Sequence, residues 1–145
     1  MIAANVGRAR WFARAALGVV FAWNVQCALV FLLAPERYAP GLELTGLSGR
    51  VAVQAFGILF LMWNATYPPV IINPEKRGTL FRVVLVQQAI GVGGDLWLWS
   101  SLPAGHQALG AAILRFVAFD AAGLLLLVAA YALLRGAESG SRAQA

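Results

Sequence analysis

Four long apolar stretches follow one another along the chain, at residues 11–33, 51–72, 79–99 and 108–134, parted by clusters of charge, proline and glycine. Each approaches or exceeds the roughly 20 residues that an α-helix needs to cross a hydrocarbon core. The pattern predicts an all-α fold, a four-transmembrane-helix antiparallel bundle over residues 11–134. A flank at 1–10 precedes it, and a disordered tail at 135–145 follows, expected from the small polar run GAESGSRAQA. The first stretch follows Arg8, Arg10 and Arg14, as a signal peptide would. It is longer than a typical signal h-region, and no small-x-small cleavage site precedes Pro35 and Glu36, so a retained helix is expected.

The connections differ in kind. APERYAPGLELTGLSGR holds Pro35, Pro40, Gly41, Gly46 and Gly49, which break any helix. Its length suits either a small ordered cap or a solvated loop. Pro68 and Pro69 end regular helix near Tyr67. Asn73-Pro74-Glu75 reads as a fresh start, with Asn as N-cap and Pro at the first helical position, which leaves Pro74 as an alternative to residue 79 for the start of the third helix. Pro103 and Gly105 make a short turn that leaves the last two helices as antiparallel neighbours.

Composition agrees with the pattern. With 61% of 145 residues apolar, 12% charged and a mean hydropathy of +0.75, the chain carries more apolar surface than so short a soluble domain buries. The net charge of +5 raises the question of nucleic acid. No Lys/Arg patch interleaved with aromatics exists, and the basic residues sit at the ends of apolar runs, which argues against it. Eight of the eleven (Arg8, Arg10, Arg14, Lys76, Arg77, Arg82, Arg135, Arg142) fall on one side of the expected bilayer, against Arg37 and Arg50 on the other. The positive-inside rule puts both ends in the cytoplasm.

The eleventh basic residue, Arg115, lies inside an apolar stretch, as do Asp95 and Asp120. Ionisable groups there cost at least about 2.5–3.5 kcal/mol each on insertion scales, so each calls for a partner or a purpose. At a rise of about 1.5 Å per residue, Asp95 and Arg115 both lie roughly 10 Å inside and can pair. Gln88 and Asp120 fall deeper, near the midplane, with Asn24 and Asn64 at similar depth and Gln26, Gln54 and Gln87 available. Gln88, Gly91 and Asp95 share one stripe of the third helix. Arg115 and Asp120 stand five apart, about 140° around the helix, and so are not an obvious pair. Three readings stay open: a ligand cavity lined by Asn24, Asn64, Gln88, Asp95, Arg115 and Asp120; a register-fixing Asp95–Arg115 ion pair with interhelical amides; or a lateral subunit interface. Tyr67 serves as an interfacial anchor or reaches an inner opening. His106 caps a helix or stands exposed, with no second His or Cys to complete a metal site. Cys27 is the single cysteine, which excludes an intrachain disulfide.

Arg14 shortly before Gly18, together with FGILFLMWNATYPPVIINPEKR, QQAIGVGGD and LPAGHQALGAAILRFVAFDAAG, resembles the DoxX-like group of small bacterial four-helix membrane proteins. The resemblance implies a bundle in the bacterial inner membrane and little specific chemistry. Relatives in that group are associated with quinone-linked or thiol redox complexes; the thiol role does not carry over to a chain without paired cysteines. Asp95 and Asp120 are also similar in kind to the intramembrane acids of small four-helix sterol isomerases and sterol-binding proteins. No cofactor is specified. The expected function is binding of a lipidic or amphipathic small molecule. The alternatives are an accessory subunit or homo-oligomer, with Ala118 and Ala122 as a small-xxx-small contact, and an isomerase or redox-linked enzyme using Asp120 as proton donor and acceptor.

Overall fold

A computed structural model describes residues 2–142. Helix α1 covers Ile2–Leu33. Two 3-10 turns, Pro35–Arg37 and Pro40–Leu42, form a compact cap. Helices α2 (Gly46–Asn64), α3 (Tyr67–Ile72), α4 (Gly78–Ser101) and α5 (Gln107–Arg142) follow. The described residues hold no strand, and the fold is all-α.

Asn5–Leu33, Gly46–Ile72 and Gln107–Ser141 are long and apolar enough to cross a bilayer. Helix α4, with 24 residues, has the length, about 36 Å, but is not among the helices with a sufficiently apolar window, its run being interrupted by Arg82, Gln87, Gln88 and Asp95. The outer faces are those of a membrane protein. Leu125, in the middle of α5, is 72% exposed, and Met62 and Ile90 are 66% and 63% exposed. Water would not tolerate so continuous an apolar surface, and lipid covers it without cost.

Helix α1 packs along α2 on one flank and α5 on the other, α4 packs along α5, and α3 lies across α1 and α4. The long helices therefore run in the order α2, α1, α5, α4. Along the last pair, Gly110 lies against Trp99 and Leu102, Gly91 against Asp120, and Gly78 against Arg135. On the first pair, a Cβ at Gly57 would sit 2.8 Å from the carbonyl oxygen of Ala28, so only glycine allows α1 and α2 to approach so closely there.

The apolar core is split in two. One cluster joins Leu17 and Val20 of α1, Tyr67 and Val70 of α3, Phe81 and Val84 of α4, and Leu127 and Leu134 of α5. The other, beneath the cap, joins Phe31 and Val53 with Tyr38, Phe60 and Phe116. Phe31 meets Tyr38 and Phe116 edge-on, at 4.5 and 6.1 Å between ring centroids. Polar residues and open space occupy the layer between the clusters.

Several expectations need correction. The 1–10 flank, on whose secondary structure the pattern is silent, is helical from Ile2 onward. The tail expected to be disordered from residue 135 is helical to Arg142; residues 143–145 lie outside the described part. Extending a formed helix fixes one residue per hydrogen bond gained, and Arg135 pairs with Glu138 three positions on, at 2.8 Å. The 51–72 stretch is two helices, because Pro68 and Pro69 fit the first turn of a new helix, where their missing donors are not needed. Asn73 to Arg77 form a turn, with the Lys76 and Arg77 amides donating to the Asn73 carbonyl, and α4 starts at Gly78, next to the expected residue 79 and not at the alternative Pro74.

Candidate functional site

The wall between the two apolar clusters is built from three helices. The break after Asn64 and the restart at Tyr67 turn the Tyr67 side chain into the bundle, where it is fully buried. Its hydroxyl donates to Gln88 Oε1 at 3.2 Å. Gln88, 2% exposed, donates in turn from Nε2 to Asp120 Oδ1 at 3.1 Å and lies 3.3 Å from the Asp120 carbonyl oxygen. The Tyr67 hydroxyl and the Gln88 amide thus both find partners, as burial in an apolar medium requires. Glycine makes the approach possible: a Cβ at Gly91 would lie 2.8 Å from Asp120 Oδ2, and one at Gly123 would lie 3.1 Å from Gln88 Nε2. Beside the wall, Thr66 Oγ1 stands 2.9 Å from Gln87 Oε1 and 3.1 Å from the Trp63 carbonyl oxygen, so its one proton serves either and ties the α2–α3 junction to α4.

Two cavities open on either side. The first, about 410 Å³, lies between α1 and α5 beneath the cap. It is lined by Asn24, Gln26, Arg37, Tyr38, Arg115 and Asp120, with Trp23 and Phe119 packed edge-on at 5.0 Å beside them. The second, about 530 Å³, lies between α2, α4 and α5. It is lined largely by aromatic and aliphatic side chains, among them Phe56, Leu59, Trp63, Leu98 and Ile113, with Asp95 on the α4 side. Asn24, Leu42, Phe60, Gln88, Phe116 and Asp120 border both. Both volumes fall within the roughly 300–1,000 Å³ of cavities that take small molecules.

Of the residues expected at a site, Asn24, Gln88 and Asp120 come together, Arg115 joins them in the first cavity and Asp95 in the second. The expected Asp95–Arg115 pair is not formed among the described residues. Asp120 already points at α4, so Arg115, about 140° away around α5, is turned from α4 toward the cap. There its Nη2 lies 3.7 Å from the position a Cβ would take on Gly41. Asn64 also stands apart: it borders neither cavity and donates from Nδ2 to its own helix, at the Phe60 carbonyl oxygen, 2.8 Å away. Its Oδ1 is buried and meets no donor. Tyr67 is a core residue rather than an interfacial anchor.

The residues that sequence reasoning missed are Arg37 and Tyr38, together with the part Tyr67 plays. The breaker-rich connection held the signal for the first two, since an ordered cap brings its side chains to the depth of Arg115.

At the cap end, Glu43 takes a left-handed backbone conformation, φ 56°, unusual for a residue with a Cβ. Its carboxylate accepts from His106 Nδ1 at 2.5 Å and from the Leu109 amide at 3.4 Å, in the first turn of α5. The His106 hydrogen bond, helped by the Leu109 amide, holds the Glu43 carboxyl below the ordinary carboxylate value. At the opposite end, Arg10 pairs with Glu75 at 3.2 Å, and Arg14 donates from Nη2 to the Ile72 carbonyl at the end of α3, 2.6 Å away. Among the described residues, no three His, Cys, Asp or Glu side chains gather as a metal site would require.

No family model matches the chain, and comparison with curated proteins and with solved structures found no similar protein.

Proposed function

We propose that this chain is a four-pass integral protein of a bacterial inner membrane, with both ends cytoplasmic, that holds a lipidic or amphipathic small molecule between its helices. The observation that carries the ligand reading is the pair of cavities meeting at the Asn24–Gln88–Asp120 wall, one polar and cationic, the other apolar. A bundle that needed only register would close over such groups, because an unfilled cavity forfeits packing energy.

Support for the topology comes from the distribution of charge. Arg10, Arg14, Glu75 and the Gly78–Arg135 contact lie together at one end, while the cap with Arg37 and Glu43 lies at the other. Helix α4 would be the fourth crossing, antiparallel to α5, its polar stripe covered by that neighbour. The basic end faces the cytoplasm on the positive-inside rule. The bacterial setting rests on the DoxX-like resemblance.

The test is native mass spectrometry of protein extracted in mild detergent, paired with solvent extraction and thermal unfolding. A lipid-like adduct is expected, and adding the extract back to stripped protein should raise the unfolding temperature. Protein that carries nothing after gentle extraction, and that no membrane lipid stabilises, would show the cavities to be packing defects.

A further inference from the structure

The chain has six acidic side chains for eleven basic ones, and among the described residues none of the six pairs with Arg37 or Arg115, although Asp120 borders the same cavity. Glu36 faces Arg50 at 3.8 Å, Glu43 takes His106, Glu75 takes Arg10, and Glu138 takes Arg135. Asp95 lines the second cavity, and Asp120 accepts from Gln88 at the wall. Among the described residues, Arg37 and Arg115 therefore form no ion pair, yet both line the first cavity, one from the cap and one from α5. Both side chains are exposed toward this open cavity, and like charges lining one space repel each other less when an anion lies between them. A guanidinium matches the paired oxygens of a carboxylate or phosphate, and Tyr38 and Asn24 supply neutral donors nearby.

We infer that the first cavity is the head-group site for an amphiphile with an anionic head, a carboxylate or phosphate, whose apolar tail passes Phe60 and Phe116 into the second cavity. This rests on the ligand-holding reading above and adds the charge of the ligand and its direction. The charged side chains set that direction. Asp95 lines the second cavity alone and Asp120 borders both, whereas Arg37 and Arg115 line only the first, which places the head at the cap side of the first cavity and the tail in the apolar chamber. Leu42, Phe60 and Phe116 border both cavities, so the two spaces are adjacent at these apolar side chains, where the tail would cross. Helix α2 packs chiefly on α1, so its face toward α4 is free to line the apolar chamber.

The experiment uses the full chain, stripped of lipid and held in a neutral detergent, and four probes: oleate, oleyl phosphate, oleyl alcohol and inorganic phosphate. The first three share a tail and differ in head. At least one of the anionic amphiphiles should bind roughly tenfold or more tightly than oleyl alcohol, about 1.4 kcal/mol, and the better of the two identifies the head. Arg115→Gln and Arg37→Gln should each lower that affinity toward the alcohol's, by a larger factor than they lower binding of the alcohol itself. If Arg115→Gln fails to fold, Arg37→Gln, in an exposed turn, carries the test alone. Equal binding of anionic and neutral amphiphiles would overturn the anionic assignment and leave the ligand-holding reading standing. Inorganic phosphate binding as tightly as oleyl phosphate would overturn the tail. No binding of any probe would remove both.

Discussion

Gln88 and Asn64 are buried to the same degree, at 2% and 1% exposure, and their surroundings give them opposite consequences. Replacing Gln88 by Leu leaves the Tyr67 hydroxyl without its acceptor and Asp120 Oδ1 without its donor, in a layer where water is scarce. Such losses cost about 0.5–2 kcal/mol in membrane bundles. Gln88→Leu should therefore lower the unfolding temperature in detergent. Asn64→Leu removes an acceptor that already has no donor and a hydrogen bond that duplicates one in its own helix, so its melt should be unchanged or higher. Ligand retention should also survive in Asn64→Leu; its loss would return Asn64 to the site from which the geometry removes it. Gly91→Ala is a third case. Its new methyl would press on Asp120 Oδ2 from 2.8 Å, and overpacking of this kind costs about 1–3 kcal/mol. The expected reading is a lower melting temperature, relieved in part by combining it with Asp120→Ala. At this scale the sequence was informative about residue type and depth but not about direction. Counting along helices puts Gln88, Asp120 and Asn24 at one level, and the three side chains lie together, because a fixed rise per residue relates depth to sequence. Asn64 could not be assigned to the cavity side or the packing side that way, since direction depends on where α2 ends and α3 begins.

At the scale of elements, the cap and α5 are joined through one carboxylate. Glu43 closes the second 3-10 turn and accepts from His106 and the Leu109 amide at the start of α5, where the helix leaves donors unpaired. Its carboxyl is held below the ordinary value, so the link is complete above that value, near pH 4.5, and is lost as pH falls through it toward the lower folded-state value. Amide exchange at Leu109, corrected for intrinsic rates, should therefore become less protected on acidification below about pH 4.5, while amides in the middle of α5 keep their protection. In Glu43→Gln, Leu109 should be less protected at neutral pH and show no acid step. Persistence of the step in that variant would move it to another group. The cap was foreseen only as one of two readings of a breaker-rich connection, since prolines and glycines state where helix stops and not what the stopped chain contacts. The four apolar runs located the helices well. Their ends drifted because propagation from a formed helix outlasts weak local preference, as in 135–142, and because a proline pair can start a helix as readily as stop one, as at Tyr67.

Taken as a whole, the molecule has one end tied by Arg10–Glu75 and Arg14–Ile72 and another closed by the cap, with the split core and its cavities between. If the basic end is cytoplasmic, residues 5–8 and 76–77 and the end of α5 face the same side, and Glu36, Arg37 and His106 face the opposite one. Only α4 decides between three crossings and four. It is the long helix without a sufficiently apolar window, and a fourth crossing would require it to enter the bilayer with Gln88 turned onto α5 and Gln87 onto the α2–α3 junction. Single cysteines in a Cys27→Ala background, labelled with a membrane-impermeant maleimide on intact cells, separate the cases. Cysteine at Glu36 or Ser101 should label from outside, whereas cysteine at Lys76 or Glu138 should label only after the cells are opened. Labelling at Ser101 and Lys76 from the same side would mean that α4 does not cross. Helix α5 would then have to reverse its sense against α1, or the cap would have to leave the outer face. Either outcome would break the packing of the second 3-10 turn on α5, which holds Arg37 and Arg115 around one cavity.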